Sequence, residues 1–125
     1  VIPEDLQYTA DHEWIRFEGD IATIGITDYA QDQLGDIVYL QLPAVGETVE
    51  AGAVIGELES TKSVSDLFAP VSGEVVTVNE ALESNPETVN SDPYGQGWLI
   101  TVRVPESSGS DDLMSASAYQ ASIDS

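Results

Sequence analysis

Apolar and polar positions alternate over residues 12–18, "HEWIRFE", with Trp14, Arg16 and Glu18 on one parity and Ile15 and Phe17 on the other. A period of two is the mark of a half-buried strand. "GD" at 19–20 is a hairpin turn signal and "IATIGIT" is the return strand. "TDYAQDQLG" predicts a short helix. Thr27 or Asp28 can cap it, Ala30 and Leu34 share a face, and Gly35 stops it. "DIVYLQLP" is a β-branched, apolar strand closed by Pro43.

Beyond it, Gly46 and Gly52 punctuate two extended pieces in "VGETVEAGAVIGELES". "SVSDLFAPVSGEVVTVNEAL" predicts a strand, a turn at Pro70–Gly73 and another strand, and "WLITVRVP" is the last strand. Between these, "NEALESNPETVNSDPYGQG" is polar and turn-rich, which predicts a surface loop with at most one helical turn. The tail predicts a helix over about 110–123. Ser110 would cap it, with Asp111 and Asp112 at its positive end. Leu113, Ala116, Tyr119 and Ile123 would form its apolar stripe. The pattern is mainly β: two small antiparallel sheets or a flattened barrel, with a short internal helix and a C-terminal one.

Composition narrows the chemistry. The 125-residue chain fits one domain, 1–125, with its core over about 6–105. No apolar run approaches membrane-span length, and "VIPEDLQY" lacks the basic start of a secretory signal. There are no cysteines, hence no disulfide and no thiolate, which fits a cytoplasmic protein. Three basic residues, Arg16, Lys62 and Arg103, face 23 acidic ones, for a net charge of −20. Such a surface repels nucleic-acid phosphate and anionic lipid. It serves solubility, or a salt-rich cytoplasm that screens its self-repulsion.

The lone lysine stands out. In "ELESTKSVSD", Val54 and Leu58 are expected on one face of the incoming strand and Val64 and Phe68 on one face of the outgoing strand. Glu57, Glu59 and Ser65 take the other parity, and "STKS" is the turn. Lys62 should therefore stand in water at a hairpin tip. A Schiff-base lysine needs desolvation or a nearby cation. Lys62 has Glu57, Glu59 and Asp66 close in sequence instead. A lysine offered to a modifying enzyme fits this setting better, because acylation replaces its charge with a new chemical end. His12 is the only histidine, which excludes a histidine-cluster metal site, and with no nucleophile motif beside it no serine triad can be argued. "YGQGW" lacks the strand–helix context of a nucleotide loop.

Several segments in order resemble the glycine cleavage system H protein family: "HEWIRFEGDIATIGITDYAQDQLGDIVYLQLPAVGETV", "GELESTKSVSDLFAPVSGEVVTVN", "TVNSDPYGQGW" and a terminal helix with "AYQ". The resemblance covers residues 6 to 123. It implies a lipoyl-type barrel–sandwich hybrid of two antiparallel sheets, and a carrier rather than an enzyme. Lys62 matches the lysine that holds lipoic acid as an amide. A pyridoxal-phosphate glycine decarboxylase (P protein) would place the aminomethyl group of glycine on a lipoyl sulfur. An aminomethyltransferase (T protein) would pass the carbon to tetrahydrofolate, and dihydrolipoamide dehydrogenase (L protein) would reoxidise the dithiol. A lipoate ligase or a lipoyl/octanoyl transferase would attach the arm. Glu13 and Asp66 match acidic residues of the cleft that shelters the loaded, cationic arm. Asp11 and Gln33 depart from residues that relatives carry there, a small hydroxyl residue and a histidine.

Two other carriers fit less well. A biotin carrier has methionines beside its lysine, whereas Thr61 and Ser63 flank Lys62. A lipoyl domain of a 2-oxo acid dehydrogenase lacks the "HEW" start and the terminal helix. A second role as lipoyl donor to other proteins stays open. In another class altogether, the chain would be an acidic binding module with Lys62 unmodified. The charge makes its own prediction: thermal unfolding should move upward between low and molar KCl, and an unchanged midpoint would remove the salt-screening argument.

Overall fold

The computed structural model describes residues 3–104 and 113–124. Its strands are β1 (Gln7–Tyr8), β2 (Glu13–Glu18), β3 (Ile21–Ile26), β4 (Ile37–Gln41), β5 (Thr48–Val49), β6 (Val54–Ser60), β7 (Val64–Phe68), β8 (Gly73–Val78) and β9 (Ile100–Arg103). Helices α1 (Asp28–Leu34), α2 (Ala81–Ser84), α3 (Thr88–Ser91) and α4 (Ala116–Asp124) lie between and after them. The larger sheet runs β1-β2-β3-β9-β8-β5 and the smaller β4-β6-β7, with every pair antiparallel. The two sheets share one core and do not close into a barrel. Ile15, Ile24, Val75, Ile100 and Val102 of the larger sheet meet Ile37, Leu58 and Leu67 of the smaller.

The β2–β3 hairpin turns at Gly19, whose φ of 63° suits glycine. Its register sets Trp14 opposite Gly25, and a Cβ on Gly25 would sit 2.5 Å from the indole. Strand β2 is more buried than its alternation predicts. Ile15 enters the main core, while Trp14 joins Leu6, Tyr8 and Tyr119 in a second cluster on the other face. That face is covered by α4 and by the 93–98 turn, where the Pro93 carbonyl accepts the Trp14 indole N–H at 2.8 Å. Tyr8 and Met114 exchange two backbone hydrogen bonds, of 2.9 and 2.7 Å, and bring α4 onto β1.

Three expectations need correction. First, the terminal helix begins at Ala116, not near 110. Leu113 and Met114 precede it, Met114 being held in the bridge to Tyr8, and the Ala118 N–H is capped by the Ser115 hydroxyl at 3.2 Å. Ser110, Asp111 and Asp112 lie outside the described residues. Second, the polar segment after β8 holds two helical turns, α2 and α3, because Leu82 and Val89 are apolar anchors that reach the core. Third, the face of the β6–β7 hairpin is inverted on its outgoing strand. Leu58 pairs with Ser65 and Gly56 with Leu67, so Ser65 and Leu67 point inward and Val64 sits beside Glu59 on the outer side. A bulge between Val54 and Gly56 turns Val54 outward as well. Val54 and Val64 are 54% and 56% exposed.

Gly25→Ala should lower stability by about 1–3 kcal/mol, since the methyl group must displace a fully buried indole. Denaturant unfolding checks this, with Gly19→Asn as the mild control. Nothing lies within 4 Å of a Cβ at Gly19, and asparagine tolerates its backbone.

Candidate functional site

The turn that carries Lys62 is built by Ser60. Its hydroxyl accepts the N–H groups of Lys62 at 3.2 Å and Ser63 at 3.0 Å and donates to the Ser63 carbonyl at 3.1 Å. The Ser60 N–H donates to the same carbonyl at 2.8 Å. The Thr61 N–H donates to the Asp36 carbonyl at 3.0 Å, which ties the tip to the chain leaving α1. Lys62 is exposed, and among the described residues its ammonium has no ion-pair partner. Its aliphatic stem lies over Gly35, where an added Cβ would come within 3.1 Å of Cε. Gly35 has φ 85° and ends α1. The tip is thus rigid and the amine free.

Beside the hairpin lies a cavity of about 190 Å³. Ile26, Ala30, Leu34, Leu58 and Leu67 give it apolar walls, while Glu13 and Asp66 share its lining. Asp11 and Gln33 line it too. Lys62 does not line it. The lysine stands past Leu34, at the Gly35 end. Asp66 is exposed and pairs across the strands with Glu57.

Glu13 is 2% exposed. Its Oε2 accepts the Phe68 N–H at 3.0 Å, a donor on the open edge of β7. Its Oε1 is buried with no hydrogen-bond partner. Burial pushes the carboxyl up to about 8. The Phe68 amide and the nearby Thr9 hydroxyl pull the other way, and the charge of Asp11 adds to the rise. An unpartnered buried carboxyl oxygen is costly for folding alone. It suits a site that receives a cation.

Three supporting residues carried no motif signal. Thr9 sets the corner before Glu13, its hydroxyl accepting the N–H groups of Asp11 and Glu13, each at 3.2 Å. His12 sits in that corner with φ 66°, a left-handed backbone that is uncommon outside glycine. Asn90 of α3 accepts the Ile37 N–H at 2.8 Å and donates to the Gly35 carbonyl and Gln31 Oε1, both at 2.9 Å. It fixes the end of α1 on which the lysine lies. The one readable hint was an asparagine in the "TVNSDPYG" segment, a residue able to donate and accept at once. Among the described residues no group of three histidine, cysteine or acidic side chains could hold a metal. A larger cavity of about 480 Å³ is lined by Tyr39, Leu42, Val45 and Leu82 but contains none of Lys62, Glu13 or Asp66.

Residues 6–125 match the family model described as glycine cleavage H-protein. The chain is 58% identical to the glycine cleavage system H protein of Bacteroides thetaiotaomicron, over 97% of this chain and 96% of that one. It is also 58% identical to that of Rubrobacter xylanophilus, over 94% and 91%. A solved glycine cleavage system H protein from Mycobacterium marinum superposes with a TM-score of 0.91 at 50% identity, covering 99% of this chain and all of that one.

Burial of Glu13 has a consequence for stability. Between its ordinary value of 4.5 and about 8, the folded chain holds a proton that the unfolded chain has lost. This stabilising difference is complete below 4.5 and is lost as pH rises to 8, by about 1.4 kcal/mol per unit. Unfolding of wild type and Glu13→Gln across pH 5 to 8 should converge at low pH and diverge upward, with the variant the more stable at pH 8. Parallel profiles would show that the carboxyl titrates normally.

Proposed function

The chain belongs to the glycine cleavage H-protein family, and from that premise we propose that Lys62 carries lipoic acid as an amide and that the cleft of Glu13 and Asp66 receives the loaded arm. The protein is a carrier and not a catalyst. The observation that carries the proposal is the placement of a lone exposed lysine, on a turn fixed by Ser60, next to an apolar cleft with an orphaned carboxyl oxygen.

The residues present fit that group. Ile26, Leu34, Leu58 and Leu67 offer surface to an apolar chain, and Glu13 Oε1 offers an acceptor to a cationic end. When bound, lipoate would supply a dithiolane able to take up the aminomethyl unit of glycine from the P protein, yield it in the T protein and be restored as a disulfide by the L protein. This chain's own part is presentation and shelter. Ser60 and Asp36 hold the lysine at one place, so the arm reaches several partners at high effective concentration. Burial holds the Glu13 carboxyl well above its ordinary value, and an arriving cation would favour its ionised form. Exposed Asp66 adds negative charge at the entrance.

The reading takes residues 1–125 as one carrier unit. A lipoate ligase or a lipoyl/octanoyl transferase would acylate Lys62. We place the exchange in the cytoplasm; among the described residues no helix is long and apolar enough to cross a membrane.

Tandem mass spectrometry of protein from its own host, without reduction, should find a lipoyl adduct on the Lys62 peptide. Lys62→Arg should abolish both the adduct and glycine-dependent CO2 release in the reconstituted system, with an unchanged melting temperature. An unmodified Lys62 in cells with a working lipoylation pathway would leave the acidic binding module as the better reading.

A further inference from the structure

Tyr119 reaches the back of the cleft from α4, an element remote from it in sequence. Its ring is fully buried and stacks on Tyr8, with centroids 4.8 Å apart and planes 11° apart. Its hydroxyl lies 2.7 Å from Thr27 Oγ1 and 2.9 Å from His12 Nδ1. Those partners belong to two different walls. Thr27 is the N-cap of α1, accepting the Ala30 N–H at 3.1 Å, and Ala30 and Leu34 of α1 line the cleft. His12 is the left-handed residue that turns the chain into Glu13. The Thr27 N–H also donates to the His12 carbonyl at 3.0 Å. With a neutral imidazole, the Tyr119 O–H donates to Nδ1 and accepts the Thr27 O–H, so both hydroxyls and Nδ1 are used.

We propose that Tyr119 is a positioning residue for the cleft, its hydroxyl holding the His12–Glu13 corner against the start of α1 and so setting the width of the space that shelters the loaded arm. Packing on Tyr8 and Trp14 needs only a ring. The backbone already ties the two walls through the Thr27–His12 bond, and the hydroxyl adds a second, side-chain link that fixes the imidazole and the Thr27 cap relative to each other. This inference rests on the reading of Lys62 as the attachment point of the arm. An open cleft admits water, which hydrolyses the loaded arm to the free thiol, formaldehyde and ammonium. A held cleft excludes it.

The test is Tyr119→Phe, which keeps the ring and removes the bridge. In the apo protein, His12 is the only histidine, so its imidazole nitrogens give an unambiguous NMR signature. The variant should lose the accepting Nδ1 signal, and the Phe68 amide should exchange faster as Glu13 loosens. With Lys62 lipoylated to the wild-type extent and loaded by P protein and glycine, formaldehyde release should rise about fivefold, the value of about one lost hydrogen bond. A changed imidazole signal with unchanged release and unchanged Phe68 exchange would overturn the proposal and leave Tyr119 as packing alone. Wild-type protein that takes no acyl group on Lys62 would overturn the carrier reading, and this inference with it. A second measurement needs no variant: loading the wild-type arm should slow exchange at the Ala30 and Tyr119 amides, since coupling between cleft and helix is reciprocal. Unchanged exchange at both would also overturn it.

Discussion

An edge strand leaves amides that need acceptors, and β7 is the edge of the smaller sheet on its cleft side. For Phe68 the acceptor is Glu13 Oε2, a side chain from the larger sheet. This bond ties the two sheets beside the cleft, in addition to the core they share. It also drags a carboxyl group out of water, and much of the site follows from that. The carboxyl must lie in a closed corner, so the chain turns sharply at Thr9 and His12. The corner must be held, so Thr27 and Tyr119 close on it from behind. The second oxygen is left without a donor, so the cleft keeps an unmet demand for positive charge. Fold and site thus share a single element, and neither can be altered there without the other.

The lysine was legible because it is alone. Ser60, Thr61 and Ser63 announce a turn by type, and the turn they make is built through the Ser60 hydroxyl. The strands from β2 onward were equally plain from the glycines and β-branched runs, whereas β1, two residues long, carried no such pattern. Side-chain facing was less so. Register fixes which residues share a face, and in the β6–β7 hairpin a bulge sends Val54 outward while the pairing of Leu58 with Ser65 sends Val64 outward. Apolar parity alone put both inside. The same limit hid α2 and α3, whose single anchors, Leu82 and Val89, are too few to give a helical period.

Glu13 and Asp66 were legible only through resemblance, and the structure separates them. Both line the cleft, yet one is buried with an orphaned oxygen and the other is exposed. Among 23 acidic residues, no local pattern marks the one that loses its water. Burial of Glu13 depends on Thr9, Phe68 and the covering elements, all set by tertiary contact. Asn90 and Tyr119 were hidden for the same reason. Each acts across more than fifty residues of chain, on Gly35 and on Thr27 respectively.

The charge balance explains why the site can be so sparing with interactions. Among the described residues the one ion pair, Arg103 with Asp20 at 3.8 Å, is exposed on both sides and contributes little. Arg16 is occupied elsewhere, its guanidinium over the Trp14 ring and donating to the Tyr94 carbonyl. Lys62 is therefore the cation left free. If it is acylated, the region of the turn and cleft becomes uniformly acidic, with Asp11, Glu13, Glu57, Glu59 and Asp66 and no resident countercharge. A cationic group on the end of the arm then meets no competitor for Glu13 from the protein itself. Keeping lysine out of the rest of the chain and placing one at the tip are, on this view, the same physical arrangement: the only positive charge meant to enter the cleft is the one the arm brings.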